Sequence, residues 1–122
     1  MRAIDLQKYL VSSGLFKIDE NTTMVEIVDG SIYNRVPVTY KSNKVWPELN
    51  IRIYVEKFGK NERCVEFSMS GVNIFADYTL SELNLPTLVK ELNKIFINEP
   101  KFHIWKNVQL RNYRINNLLN ER

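Results

Sequence analysis

Leu49-Asn50-Ile51-Arg52-Ile53-Tyr54-Val55-Glu56 alternates apolar and polar side chains without a break. Neighbouring strand residues point to opposite faces, so Leu49, Ile51, Ile53 and Val55 share one face, and Asn50, Arg52, Tyr54 and Glu56 the other. Arg63 to Met69 answers with Val65, Phe67 and Met69 at the same period. Both apolar sets must lie on one side of a sheet, which constrains the loop between them. A four-residue loop sets Ile53 against Ser68 and mixes the faces. A three-residue loop keeps the faces but places Glu56 opposite Glu66, a like-charge pair. A five-residue loop, Phe58 to Glu62, pairs Val55 with Val65, Ile53 with Phe67 and Ile51 with Met69, and is the register expected here.

Upstream, Thr22 to Val28 is rich in β-branched residues and reads as a strand. Asp29-Gly30 follows as a hairpin turn signal, and Ile32 to Tyr40 returns as a second strand. Pro37 lacks a ladder donor, so that strand is expected at an edge or with a bulge. Lys41 to Glu48, which holds Trp46-Pro47, reads as a loop. Before these, Ala3 to Ser13 has Leu6, Tyr9 and Leu10 at helical spacing, with Gly14 placed for a left-handed cap. Leu15, Phe16 and Ile18 are expected in the core. Downstream, Gly71 turns the chain into a last strand, Val72 to Tyr78.

Leu85 to Ile97 carries Leu85, Leu88, Val89, Leu92, Ile95 and Phe96 as one helical stripe, with Pro86 in the first turn. Asn98 and Pro100 are expected to end it. A second helix is expected from about Ile104 or Trp105 to Leu119, with Trp105, Val108, Ile115, Leu118 and Leu119 as its apolar face. The whole is expected to be a single α+β domain, residues 1–122. It has a short N-terminal helix, an antiparallel meander of about five strands, and two C-terminal helices covering one face.

At 122 residues with 44% apolar content, the chain can bury its own core. One cysteine, Cys64, excludes an internal disulfide and a multi-cysteine metal site, and suits a reducing compartment. No secretory h-region and no apolar run of membrane-spanning length is present, so the expected location is cytoplasmic and no membrane role is expected. In that setting the acceptor-like Asn21-Thr22-Thr23 carries no meaning. The sequence has 14 Asn, 11 Ile and 10 Lys but two Ala, Ala3 and Ala76, a coding bias compatible with a bacteriophage, a mobile element or a low-GC bacterium.

The net charge of +3 is uneven. Residues 101–122 carry Lys101, Lys106, Arg111, Arg114 and Arg122 against Glu121, while the other hundred residues hold 12 basic and 13 acidic side chains. A neutral body therefore ends in a basic helical segment.

Catalytic chemistry finds little support. Four glycines, at 14, 30, 59 and 71, leave no phosphate-binding or dinucleotide-binding loop. There is no nucleophile elbow, and one histidine, His103, excludes a multi-histidine metal site. Cys64 with His103 could do nucleophilic work, but nothing in the sequence brings the two into contact; Asp19 with Glu20 and Asp77 with Glu82 could do acid–base work only if burial shifts them. No catalytic residue, cofactor or metal is expected.

Two surfaces remain. Lys101, His103, Lys106, Arg111, Tyr113 and Arg114, together with Phe102 and Trp105, interleave cations with aromatics in a way that suits unpaired bases and phosphates. The alternative is that the aromatics dock a helix and the cations solvate its outer side. Arg52 and Tyr54 lie on the sheet face away from the apolar set, and are residue types that anchor protein interfaces. Trp46-Pro47 is a third possible contact. The expectation is a small non-enzymatic protein-binding regulator, inhibitor or accessory factor with a protein partner. A nucleic-acid-binding protein using the basic C-terminal segment is the alternative.

Overall fold

A computed structural model of the chain describes residues 1–19, 38–44, 47–55, 63–69 and 73–120. The fold is α+β, with three helices and a five-stranded antiparallel sheet. It divides into two compact units, Met1–Leu83 and Asn84–Arg122.

The first unit opens with α1, Ala3–Ser12. Asp5 accepts from the Arg2 backbone at 3.3 Å and from the Arg2 guanidinium at 3.1 Å. That hydrogen bond holds the Asp5 carboxyl below its ordinary range. Leu6 and Leu10 are fully buried. Gly14 ends the helix at a φ of 71°, the left-handed conformation a Cβ would oppose. Asn43 ties this turn down, its amide donating to the Gly14 carbonyl at 3.1 Å and its backbone N–H to Leu15 at 2.8 Å. The Met1 ammonium donates to the carbonyls of Leu80 (2.8 Å) and Leu83 (3.2 Å), joining the start of α1 to the corner after the last strand.

Five strands follow: β1 Phe16–Ile18, β2 Val38–Ser42, β3 Leu49–Val55, β4 Arg63–Met69 and β5 Asn73–Thr79. They pair in chain order, every neighbour antiparallel, as short connections require. Tyr40, Ile51, Phe67 and Ala76 form one row across the sheet, and Ile53, Val65 and Tyr78 the next. Tyr40, Ile51, Ile53, Val65 and Phe67 are buried. The Phe67 ring meets Tyr78 edge-on at 6.0 Å. A bulge sets Phe67 opposite Ala76 but Ser68 opposite Ile74, leaving Phe75 as the extra residue, with its ring 6.2 Å from Phe67.

Several expectations need correction. Phe16–Ile18 is a strand, not merely a core segment. Lys41 and Ser42 belong to β2, not to a loop: Ser42 is 2% exposed and its Oγ accepts from the Leu49 N–H at 2.8 Å. β2 pairs with β1 and with β3, so it is not an edge strand. Thr22 to Val28, Asp29-Gly30, Ile32 to Pro37 and Trp46 lie outside the described residues.

The β3–β4 register also differs. Leu49 faces Met69, Ile51 faces Phe67, Ile53 faces Val65 and Val55 faces Arg63. The register is therefore shifted by two residues from the expected one, and keeps the faces because two is the strand period. This register gives Leu49 an apolar partner where the expected one would give it Gly71. It also sets Arg52 opposite Glu66, a favourable cross-strand charge pair.

The second unit holds α2, Leu85–Phe96, and α3, Pro100–Asn120. Asn84 caps α2, its side-chain oxygen accepting from the Thr87 N–H at 2.9 Å. Leu85, Leu88, Val89, Leu92 and Phe96 are buried as the stripe requires, and Ile95 is half-buried. Glu91 is buried too and pairs with Lys94 at 2.8 Å. α3 starts four or five residues earlier than expected. Pro100 opens it instead of only closing α2, since a first-turn proline needs no N–H and its φ is already helical. Glu99 takes the capping place, its carbonyl accepting from His103 N at 3.3 Å. At 21 residues, α3 is about 32 Å long.

Candidate functional site

α3 is built on an aromatic anchor. Phe102 is fully buried, its ring 5.9 Å from Phe96 of α2 and 6.0 Å from Trp105, which is 7% exposed. His103 locks the same turn. Its Nε2 lies 2.5 Å from the Ile97 carbonyl, which can only accept, so Nε2 carries the proton. Nδ1 then accepts from the Lys106 ammonium at 3.0 Å. Lys106 also sits 5.7 Å from the centre of the Phe102 ring, within cation–π range.

The other side of α3 is open. Ile104 is 69% exposed, Val108 39%, Ile115 48%, Leu118 64% and Leu119 58%. At about 100° per residue, positions 104, 108, 111, 115 and 118 follow one line along the helix. Arg111 is the exposed cation in the middle of it. Exposed Lys101 extends the line toward the start of α3, Arg114 is exposed beside it, and no Asp or Glu lies between Pro100 and Asn120. Tyr113, like His103 and Lys106, is half-buried.

This corrects the expected apolar face of α3. The expected face groups Trp105 with Val108, Ile115, Leu118 and Leu119, but Trp105 is covered and the other four are exposed. Phe102 and Trp105 are covered, while the aliphatic line, with Ile104, faces outward. Ile104, 69% exposed, is not part of the expected face. Its four-residue spacing to Val108 is the signal that marks the second stripe.

Arg52 and Tyr54 belong to the sheet unit. Arg52 is exposed. The half-buried Tyr54 hydroxyl donates to Asp77 at 3.4 Å. Partial burial, then the carboxylates of Asp77 and Glu66, push that hydroxyl above its ordinary pKa. Tyr54 is thus engaged within its own sheet face.

Several of the residues considered for catalysis are occupied or buried, while Glu82 is exposed. Both ring nitrogens of His103 are used within the helical unit. Cys64 is buried on β4 opposite Tyr54. Asp19 pairs with Lys41 at 3.3 Å; Glu20 lies outside the described residues. Among the described residues no group of three or more His, Cys, Asp or Glu could hold a metal ion. None of their helices is long and apolar enough to cross a membrane.

No protein-family model, no curated protein and no solved structure matches this chain.

Proposed function

We propose that the chain is a non-enzymatic protein-binding regulator, inhibitor or accessory factor, and that the outward face of α3 is its contact surface. The observation that carries this reading is the exposure of Ile104, Val108, Ile115, Leu118 and Leu119 along a helix whose Phe102 and Trp105 are buried. Five such side chains, each offering on the order of 100 Å², make a patch near the upper end of what a monomer exposes without a use for it. Arg111 and Arg114 add the residue type most favoured at hot spots. The single buried thiol suits a reducing, cytoplasmic setting, and the coding bias suits a phage or low-GC bacterial source.

Nucleic acid is the second reading. Exposed Lys101, Arg111 and Arg114 with no intervening acid favour it. Against it, Phe102 and Trp105 are buried and offer no face for base stacking. Capture from lysate of the source organism, with and without nuclease, separates the two. A discrete protein retained after nuclease supports the proposal. Capture that nuclease abolishes, with salt-sensitive binding to DNA or RNA, replaces it with the second reading.

A further inference from the structure

The open line on α3 has a finer pattern than a general apolar face. Lys101, Ile104, Val108, Arg111, Ile115 and Leu118 are spaced three, four, three, four and three. That is the a/d repeat of a helix that packs against another helix. Val108 and Ile115 take a positions and Ile104 and Leu118 d positions, with Lys101 at a and Arg111 at d as the polar members. The line runs about 26 Å from Lys101 to Leu118. Its apolar members are exposed, and its two polar members, Lys101 and Arg111, are exposed cations.

Charge decides what covers it. α3 carries Lys101, Lys106, Arg111 and Arg114 with no acid from Pro100 to Asn120. A second copy would bring these cations together, and a parallel pair would set Arg111 against Arg111. A membrane surface would have to accept Arg111 in the middle of the apolar face, where amphipathic helices keep their cations to the polar side. Nucleic acid would satisfy the cations but leave the Ile, Val and Leu side chains in water.

We infer that α3 docks an acidic amphipathic helix of another protein. The partner's apolar seam covers Ile104, Val108, Ile115 and Leu118, and its carboxylates face Arg111 and Lys101. A guanidinium in the seam takes a carboxylate through two parallel hydrogen bonds, and a polar residue at one seam position fixes register. The inference rests on the protein-binding reading of this face and names the chemistry of the partner.

The test uses the full chain and two synthetic helical peptides of about three heptads. Both carry Ile and Leu along the seam. One has Glu at the flanking positions and at the seam position facing Arg111; the other has Lys at all of these. Titration calorimetry at about 0.15 M salt should show binding of the Glu peptide at least tenfold tighter than the Lys peptide. Arg111→Glu should weaken the Glu peptide at least tenfold and improve the Lys peptide. Ile115→Asp should abolish binding while the helical circular dichroism is unchanged.

Equal affinity for both peptides, or no effect of Arg111→Glu, overturns the inference. So does Ile115-dependent binding of anionic phospholipid vesicles or of DNA when the Glu peptide does not bind, and so does a stable dimer of the free chain that Ile115→Asp dissociates. If a nuclease-resistant protein partner is lost on Ile115→Asp and yet the Glu peptide fails, the acidic helix is wrong and the protein-binding reading stands. If that partner is indifferent to Ile115→Asp as well, both fall.

Discussion

The rings of Phe96 and Phe102 meet at 5.9 Å across the turn between α2 and α3. Phe96 closes one helix and Phe102 lies in the first turn of the next, so this contact sets which side of α3 is covered. With Phe102 and Trp105 inside, the line through Ile104, Val108 and Ile115 is left outside.

Replacing Phe102 with Ala should therefore cost about 3–5 kcal/mol, the usual range for a fully buried aromatic. Leu118→Ala, on the open side, should stay within about 0.5 kcal/mol. Chemical denaturation of the two variants checks this. Comparable losses would show that Leu118 is covered.

The sheet makes a similar demand at Ile53, which is 3% exposed and lies opposite Val65. Ile53→Ala should lower stability by about 2–5 kcal/mol. An unchanged denaturation midpoint would place that face of β3 in solvent.

Much of this frame can be read from residues alone, for identifiable reasons. β3 announces itself because seven successive residues hold a strict two-residue period, and β4 because Val65, Phe67 and Met69 answer it. α2 does so through its stripe and its Asn84-Leu85-Pro86 start. Phe16–Ile18 is too short to show any period and becomes a strand only because β2 is there to pair with it. The β3–β4 register escapes because the two-residue period allows every odd loop length; the Leu49–Met69 and Arg52–Glu66 pairings decide it. Pro100 carries two meanings, stopping one helix and starting another. Periodicity shows that α3 has apolar residues on two sides, Phe102 with Trp105 and Ile104 with Val108 and Ile115. It does not show which side is covered, because that depends on the contact with Phe96.

Tyr54 yields a pH prediction. Its hydroxyl is held neutral by partial burial and by Asp77 and Glu66, so its folded-state pKa lies above the unfolded value near 10. The stabilisation from the neutral form is complete below about pH 10 and is lost as pH rises toward the folded value. Denaturation midpoints from pH 9 to 11 should fall, and the fall should be shallower in Tyr54→Phe. Equal slopes in both proteins would show that Tyr54 ionises as an exposed phenol does.

The thiol and the imidazole should prove dispensable for binding. Cys64 is buried, and His103 is committed to Ile97 and Lys106. A thiol reagent should label Cys64 far more slowly in the folded protein than in denaturant, because modification waits on local opening. Cys64→Ser and His103→Gln should each keep partner binding. Loss of activity in both, with folding intact, would reinstate a thiol–imidazole site.

The central claim is that the outward line of α3 is where a protein partner binds, and a double substitution on that line tests it most directly. Val108→Asp with Ile115→Asp places two charges on the open face and leaves Phe102 and Trp105 untouched. The affinity of this variant for the nuclease-resistant protein partner should fall at least a hundredfold from wild type, an effect of about 2.7 kcal/mol or more, with an unchanged denaturation midpoint. Wild-type affinity in the double variant would contradict the account and move the contact surface away from α3.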